Sequence, residues 1–366
     1  MVTARQPYKK RLIILAIIAL LLVIMQWALP GHPGNVNLYT TYIFRPFQYL
    51  RNIIFGNIPL SLGDIFYLSA GISILVLLIK WIFFIARIRT YKPLFILSLL
   101  RTLLAATIIY FVFFLGWAGN YYKPSLSELW KIQDSSLQND STLYAFDSYL
   151  IGRLNSYAPH YHAISFKEVA KRSVMYYQTY TDIPSPLMGL RAKPSLFGTL
   201  LQYMGVQGYY NPFTGEAQVN SNLPDFILPF VVCHELAHQS GIAAEDDANL
   251  LAYAVGTSVK DSTFNYSCYF NLWLYTHSKL RMRDTASAKY LYKTLNQLSV
   301  SHLDTLKAIN KRYRSKLSHY SSGWYDGYLR FHHVKDGIDS YDDVVQTAYT
   351  WEQQIARRKD SLIHIP

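Results

Sequence analysis

Residues 233–253 read CHELAHQSGIAAEDDANLLAY, and they contain the chain's most specific chemistry. His234 and His238 are four residues apart, so on a helix they stand one turn apart on the same face. Glu235 projects beside them. This is the HExxH arrangement, in which two imidazoles reach one Zn²⁺ and the glutamate holds the water that the metal acidifies. The glutamate takes that water's proton and returns it to the leaving amine. The chemistry expected of such a stretch is hydrolysis of a peptide bond.

A catalytic zinc ordinarily takes a third protein ligand and leaves the fourth position to water. Near the two histidines the candidates are Gln239, Glu245, Asp246 and Asp247. Gln239 falls on the wrong side of the helix. Gly241 lets the chain turn back, and Glu245 then opens a second helix with a side chain long enough to reach the metal. Asp246 is the alternative, and a distant histidine, His277 or His302, a further one. Acidic residues also favour a helix N-terminus for electrostatic reasons alone, so composition leaves Glu245 and Asp246 both open. Asn249, one turn beyond Glu245, can orient a ligand through a hydrogen bond. Tyr253, Tyr325, Tyr328, His332 and His333 are candidates for stabilising an oxyanion, by residue type only.

These residues need elements to hold them. Residues 225–240 predict a helix, with Pro229 suited to its first helical position and Gly241 to its end, and 246–258 predict the next helix. Residues 203–220 predict a β-hairpin turning at Asn211-Pro212 and Thr214-Gly215. Its second half, Glu216–Asn220, is either an edge strand able to pair with an extended substrate or a plain structural hairpin. Residues 181–195, rich in Pro and Gly, read as a loop. Residues 125–179 and those beyond 265 read as mostly helical, with a Gly- and Tyr-rich interruption at 320–341. Cys233 and Cys268 form no CxxC pair, and Cys233 reads as a small buried hydrophobe.

The rest of the chain points to a membrane. Of 366 residues, 51% are hydrophobic and only 16% charged, a low charge share for a globular protein in water. The net charge of +12 is dispersed, with no arginine-rich run, which excludes nucleic acid as the expected partner. Three apolar stretches, about 12–29, 64–86 and 95–117, are each long enough to span a bilayer. Lys9, Lys10 and Arg11 precede the first, and RIRTYK separates the second from the third. Both basic segments belong in the cytoplasm by the positive-inside rule. Residues 1–117 are therefore expected to be a three-span anchor in an inner (cytoplasmic) membrane. Residues 118–366 are expected to lie outside the cytoplasm, on the periplasmic or exterior side. Between the first two spans, YIFRPFQYLRNIIF alternates apolar and basic residues and suits a membrane surface.

The stretch HELAHQSGIAAEDDANLLAY, together with IPLSLGDIFY at 58–67, GYYNPFTGEAQVN at 208–220 and GYLRFHHVKDGIDSYDDVV at 327–345, resembles a family of bacterial membrane proteins of unknown function. Members of that family combine N-terminal spans with a zincin-like HExxH domain. Glu245-x-x-Ala248-Asn249 is also similar to the ExxAD element of membrane-bound gluzincin peptidases. That likeness implies Glu245 as third zinc ligand and puts Asn249 in the place of a supporting Asp. The seven-residue step from His238 to Glu245 departs from those peptidases, which insert a long segment there; a short step with a glycine is more like the metzincins, whose third ligand is His. The implied fold class is a set of N-terminal transmembrane helices followed by a mainly α, α+β zincin-like metallopeptidase domain. The expected function is a membrane-anchored zinc-dependent metallopeptidase with Zn²⁺ on His234, His238 and Glu245 and with Glu235 as base, acting on envelope proteins or peptides. The alternative is a zinc-binding envelope protein that recognises a partner without hydrolysis. An intramembrane protease is excluded, because the polar residues around Asp225 and Glu245 break up the HExxH helix as a span.

Overall fold

A computed structural model describes residues 6–132, 139–182, 188–314 and 341–363. The chain divides into two compact units, Met1–Lys123 with Asn211–Gly215, and Pro124–Tyr210 with Glu216–Pro366.

The first unit is helical. α1 (Gln6–Ala28), α4 (Leu62–Ala86) and α5 (Ile88–Gly116) are the three helices long and apolar enough to cross a membrane among the described residues. Their side chains stay turned outward, with at most 6% of each apolar window buried within the protein, as expected where lipid is the solvent. Ser61 caps α4 by accepting from the Asp64 amide at 3.2 Å. Arg87 alone separates α4 from α5, so the two run antiparallel, with Trp81 Nε1 donating to Ser98 Oγ at 3.0 Å. Near their C-terminal ends α1 and α5 meet through Gln26 Nε2 and the Tyr110 hydroxyl at 3.1 Å, so these two helices run parallel. Lys9, Lys10 and Arg11 therefore share one end of the bundle with Arg87, Arg89 and Lys92. Between α1 and α4 lie α2 (Pro33–Tyr39), a π-helical turn (Thr40–Phe44) and α3 (Arg45–Gly56).

In the second unit, α6 (Leu126–Leu129), α7 (Asp140–Tyr157) and α8 (Phe166–Thr179) precede a small sheet and α9 (Gly198–Met204). After the sheet come α10 (Leu228–Gln239), α11 (Glu245–Ser258), α12 (Ser262–Arg283), α13 (Thr285–Tyr292), α14 (Gln297–Tyr313) and α15 (Tyr341–Ile363). The sheet has three strands in the order β1 (Ala192–Pro194), β3 (Glu216–Val219), β2 (Gly208–Asn211). The predicted hairpin is present but shorter, because residues 203 and 204 close α9 instead. Asn211 Oδ1 accepts from the amides of Phe213 and Thr214 at 2.9 and 3.1 Å, and Gly215 takes the left-handed conformation at φ +70°.

One expectation about this region needs correction, and one open alternative is decided. β1 lies inside the stretch read as a loop; it pairs parallel with β3, Lys193 opposite Gln218. Parallel pairing on one side and the hairpin on the other make β3 the central strand. Glu216–Asn220 is therefore not an edge able to take up a substrate strand.

α10, α11 and α12 form the core. Val232, Cys233, Leu236 and Ala237 are fully buried along α10, as are Leu250, Leu251 and Val255 along α11. Each such large aliphatic contributes about 1.5–3 kcal/mol relative to exposure. The Tyr177 hydroxyl on α8 donates to the Cys233 carbonyl at 2.6 Å and ties α8 to α10. At Gly256, α11 comes so close to α12 that an added Cβ would run into Cys268 Sγ.

Candidate metal centre

α10 carries Pro229 in its first turn and ends at Gln239, and Gly241, two residues on with φ of +94°, reverses the chain. The Gly241 amide donates to the His238 carbonyl at 2.8 Å and the Ile242 amide to that of Ala237 at 3.1 Å, closing the helix end. Four residues later Glu245 opens α11 and packs back on α10. The result is a cluster of three side chains, His234, His238 and Glu245, whose donor atoms all lie within 4.8 Å of one another. The two Nε2 atoms are 3.1 Å apart. Glu245 Oε2 is 3.2 Å from His234 Nε2, and Oε1 is 3.3 Å from His238 Nε2.

The outer nitrogens determine what the inner ones offer. His234 Nδ1 faces Asn249 Oδ1 at 2.9 Å and His238 Nδ1 faces the Ile242 carbonyl at 2.7 Å. Both partners are acceptors, so each Nδ1 carries the proton and each neutral ring turns an Nε2 lone pair inward. Two imidazole lone pairs and a carboxylate then converge on one point. Such a set repels itself unless a proton or a metal ion stands between its members. Burial alone would lower the pKa of His238, but Glu245 outweighs it and pushes the imidazole up to about 9. Burial alone would raise Glu245, yet the charges and hydrogen bonds of His238 and His234 hold its carboxyl well below the usual range. Without an ion the pair is an imidazolium and a carboxylate.

This has a measurable consequence. A raised histidine pKa stabilises the ion-free fold below the ordinary value of about 6.5, and that contribution is lost as pH rises through about 9. A metal ion needs the neutral ring, so below pH 9 it must displace the proton. Calorimetry at pH 7.5 in buffers of different ionisation enthalpy is expected to show about one proton released per ion bound. Affinity is expected to rise about tenfold per pH unit up to that value and then level off. An affinity independent of pH over this range would contradict the pairing.

Glu235 lies beside the cluster, only 4% exposed, and its Oε2 has no hydrogen-bond partner among the described residues. Burial, with Glu245's charge added and the histidines opposing, raises its carboxyl to about 7. Gly208 of β2 makes room for it: a Cβ there would come 2.6 Å from Glu235 Oε1 and 2.8 Å from the Gln218 carbonyl oxygen. No feature of GYYNPFTGEAQVN marks that glycine, because the contact joins residues 27 positions apart in sequence.

The other acids of α11 have separate roles. Asp247 accepts from the Leu126 amide at 2.9 Å and caps α6, while Asp246 lies outside the three-residue cluster. Gln239 accepts from the Arg191 amide at 2.8 Å. Neither distant histidine joins the cluster. His277 pairs with Asp147 at 2.9 Å, and His302 stacks on Phe226 at 3.9 Å between ring centroids. The Tyr253 hydroxyl donates to Glu352 at 2.5 Å and so is committed elsewhere. Tyr325, Tyr328, His332 and His333 lie outside the described residues. Tyr275 of α12, which the motif does not reveal, stands close enough to Glu245 to feel its charge; burial and that carboxylate push its phenol up to about 12.

A family of proteins of unknown function, DUF3810, matches residues 39–349. The chain belongs to the DUF3810 family. No curated protein and no solved structure matches it. The DUF3810 match takes in α4 and α5 as well as the whole cluster, so two long apolar helices and the His-His-Glu group fall within one matched region.

Proposed function

We propose that this DUF3810 protein is a membrane-anchored zinc-dependent metallopeptidase with a zincin-like catalytic domain, hydrolysing peptide bonds of envelope proteins or peptides. The observation that carries the reading is Glu235, a buried carboxylate with an unpartnered oxygen beside three convergent metal-binding side chains. A purely structural site has no use for such a base. The donor set suits zinc. The two Nε2 atoms, 3.1 Å apart, are close to the edge of about 3.3 Å that a tetrahedron with bonds of about 2.0–2.1 Å requires, and one carboxylate oxygen of Glu245 completes a set of three donor atoms within 4.8 Å of one another. Each histidine is also oriented by an acceptor behind it.

Zinc held there supplies a Lewis acid that polarises the scissile carbonyl and acidifies the attacking water. The protein's own residues do the rest. Glu235 accepts the water's proton and passes it to the leaving amine, and a carboxyl near pH 7 is matched to both transfers. Gly208 positions that carboxylate, and Asn249 holds the His234 tautomer. Gly208→Ala is expected to displace the Glu235 side chain and lower turnover, about tenfold or more for a misplaced group. Metal content should stay at one equivalent, and loss of metal in this variant would show that Gly208 supports the ligands instead.

The bundle supports an orientation. With Lys9–Arg11 and Arg87–Lys92 at one end of parallel α1 and α5, the positive-inside rule makes that end cytoplasmic. The second unit then lies on the outer side of a bacterial inner membrane. A decisive experiment compares envelope proteins in cells carrying the wild type and Glu235→Gln. Accumulation of uncleaved precursors only in the variant supports the peptidase. An unchanged proteome and phenotype would favour a zinc-binding partner-recognition domain instead.

A further inference from the structure

The helical segment between α1 and α4 has its polarity inside out. Gln48 and Arg51, 0% and 2% exposed, point inward with Asn52. The Arg51 guanidinium donates to the Pro212 carbonyl, to Gln48 Oε1 at 2.6 Å and to the Gly116 carbonyl at 3.0 Å. Gln48 Nε2 donates to the Gly215 carbonyl at 2.9 Å. Tyr42, Ile43, Tyr49, Leu50, Ile53 and Ile54 face outward and are exposed. A surface helix in water arranges its faces the other way round. The inward positions run Val36, Tyr39, Phe44, Gln48, Arg51. The one five-residue step, from 39 to 44, falls in the π-helical turn Thr40–Phe44, whose extra residue keeps the inward face continuous.

The segment crosses the end of α5 rather than running beside it. The Tyr39 hydroxyl donates to the Leu115 carbonyl at 3.0 Å, and its ring fills the space a Cβ on Gly119 would need. Phe47 and Arg51 do the same at Gly116, at 2.7 and 3.0 Å. Tyr39 and Arg51 are roughly 18 Å apart along a helix, yet both meet the same closing turn of α5. Two helices packed side by side would advance together. With α5 across the bilayer, this segment lies in the plane of the membrane. It starts where α1 ends, next to Trp27, itself exposed, and Tyr42 and Tyr49 extend the aromatic belt expected at that depth.

We propose that residues 33–56 form an in-plane helix. Its outward face is seated among lipid acyl chains, at the boundary of the leaflet from which α1 and α5 emerge. The inference rests on the spans and not on the metal site.

The test uses the full chain in vesicles of phosphatidylethanolamine and phosphatidylglycerol. Single spin labels go on Tyr42→Cys, Ile43→Cys, Leu50→Cys and Ile54→Cys, all at outward positions that leave the interior intact. Cys233 and Cys268 are fully buried and their thiols are pushed up by that burial, so in the folded protein they do not compete; their continued silence also reports folding. The expected result is high oxygen and low nickel-chelate accessibility at all four sites, at one common depth. A depth that changes from Tyr42 to Ile54 by roughly the 18 Å of a spanning helix would overturn the proposal. So would nickel access throughout, meaning a face in water, or exclusion of both reagents, meaning a face covered by protein.

Discussion

Glu235→Gln is expected to reduce peptide turnover by about a hundred- to ten-thousandfold, the usual contribution of a positioned base, while zinc remains bound at one equivalent. That loss corresponds to roughly 3–5.5 kcal/mol of transition-state stabilisation. The substitution is nearly isosteric and adds no charge to the pocket. The fold and the ligands therefore have no reason to change, and removing a buried carboxylate whose burial raises its pKa to about 7 relieves a desolvation cost. A gain in thermal stability together with lost turnover would fit a group kept for chemistry at the expense of the fold. The pH profile gives a second check. With metal held saturating, the wild type should lose activity on the acid side as Glu235 protonates, at a pH below the ion-free value of about 7 because a bound dication favours the carboxylate. Glu235→Asp, which keeps the base but retracts it, should recover part of the rate. Equal turnover in wild type and Glu235→Gln would end the peptidase reading and leave the zinc-binding one.

The parts of the site legible in the sequence are those set by short-range geometry. His234 and His238 share a helix face because helices repeat every 3.6 residues, and Gly241 reverses the chain because it alone there accepts φ of +94°. Glu245 follows within one turn of chain. Asn249 facing His234 was likewise within reach, being one helical turn from Glu245. Long-range contacts were not legible. Gly208 and Tyr275 approach the cluster from a different strand and a different helix, and neither carries a local signature. β1 escaped because three residues ending in Pro194 show no alternation; Pro is tolerated there since an edge strand has one free side. The three long apolar helices were plain from composition, since lipid imposes a uniform demand along each of them. The inverted polarity of α3 shows in the sequence only as alternation, because it depends on carbonyls supplied by Gly116, Pro212 and Gly215, far away in sequence.

The acidic cluster EDDAN, ambiguous by composition, is separated by geometry into distinct expected effects. Glu245→Ala removes one of three convergent ligands. If an overall metal-binding energy on the order of 10 kcal/mol is shared among three, each contributes about 3 kcal/mol, and affinity should fall more than a hundredfold. It also leaves His234 and His238 with their lone pairs 3.1 Å apart and no carboxylate to hold a proton between them. The ion-free variant should therefore titrate His238 well below about 9, and the proton released on binding at pH 7.5 should disappear. Asp246→Ala should leave metal content unchanged. Asp247→Ala should cost stability without metal, because it uncaps the Leu126 amide, a loss of about 1 kcal/mol. Asn249→Ala belongs between these extremes: losing the group that holds the His234 tautomer should weaken binding about ten- to a hundredfold. Metal analysis and thermal unfolding of the four purified variants separate the cases. Full occupancy in Glu245→Ala, or its loss in Asp246→Ala, would move the third ligand along the helix. The turn at Gly241 would then serve to cap α10 rather than to build a metal site.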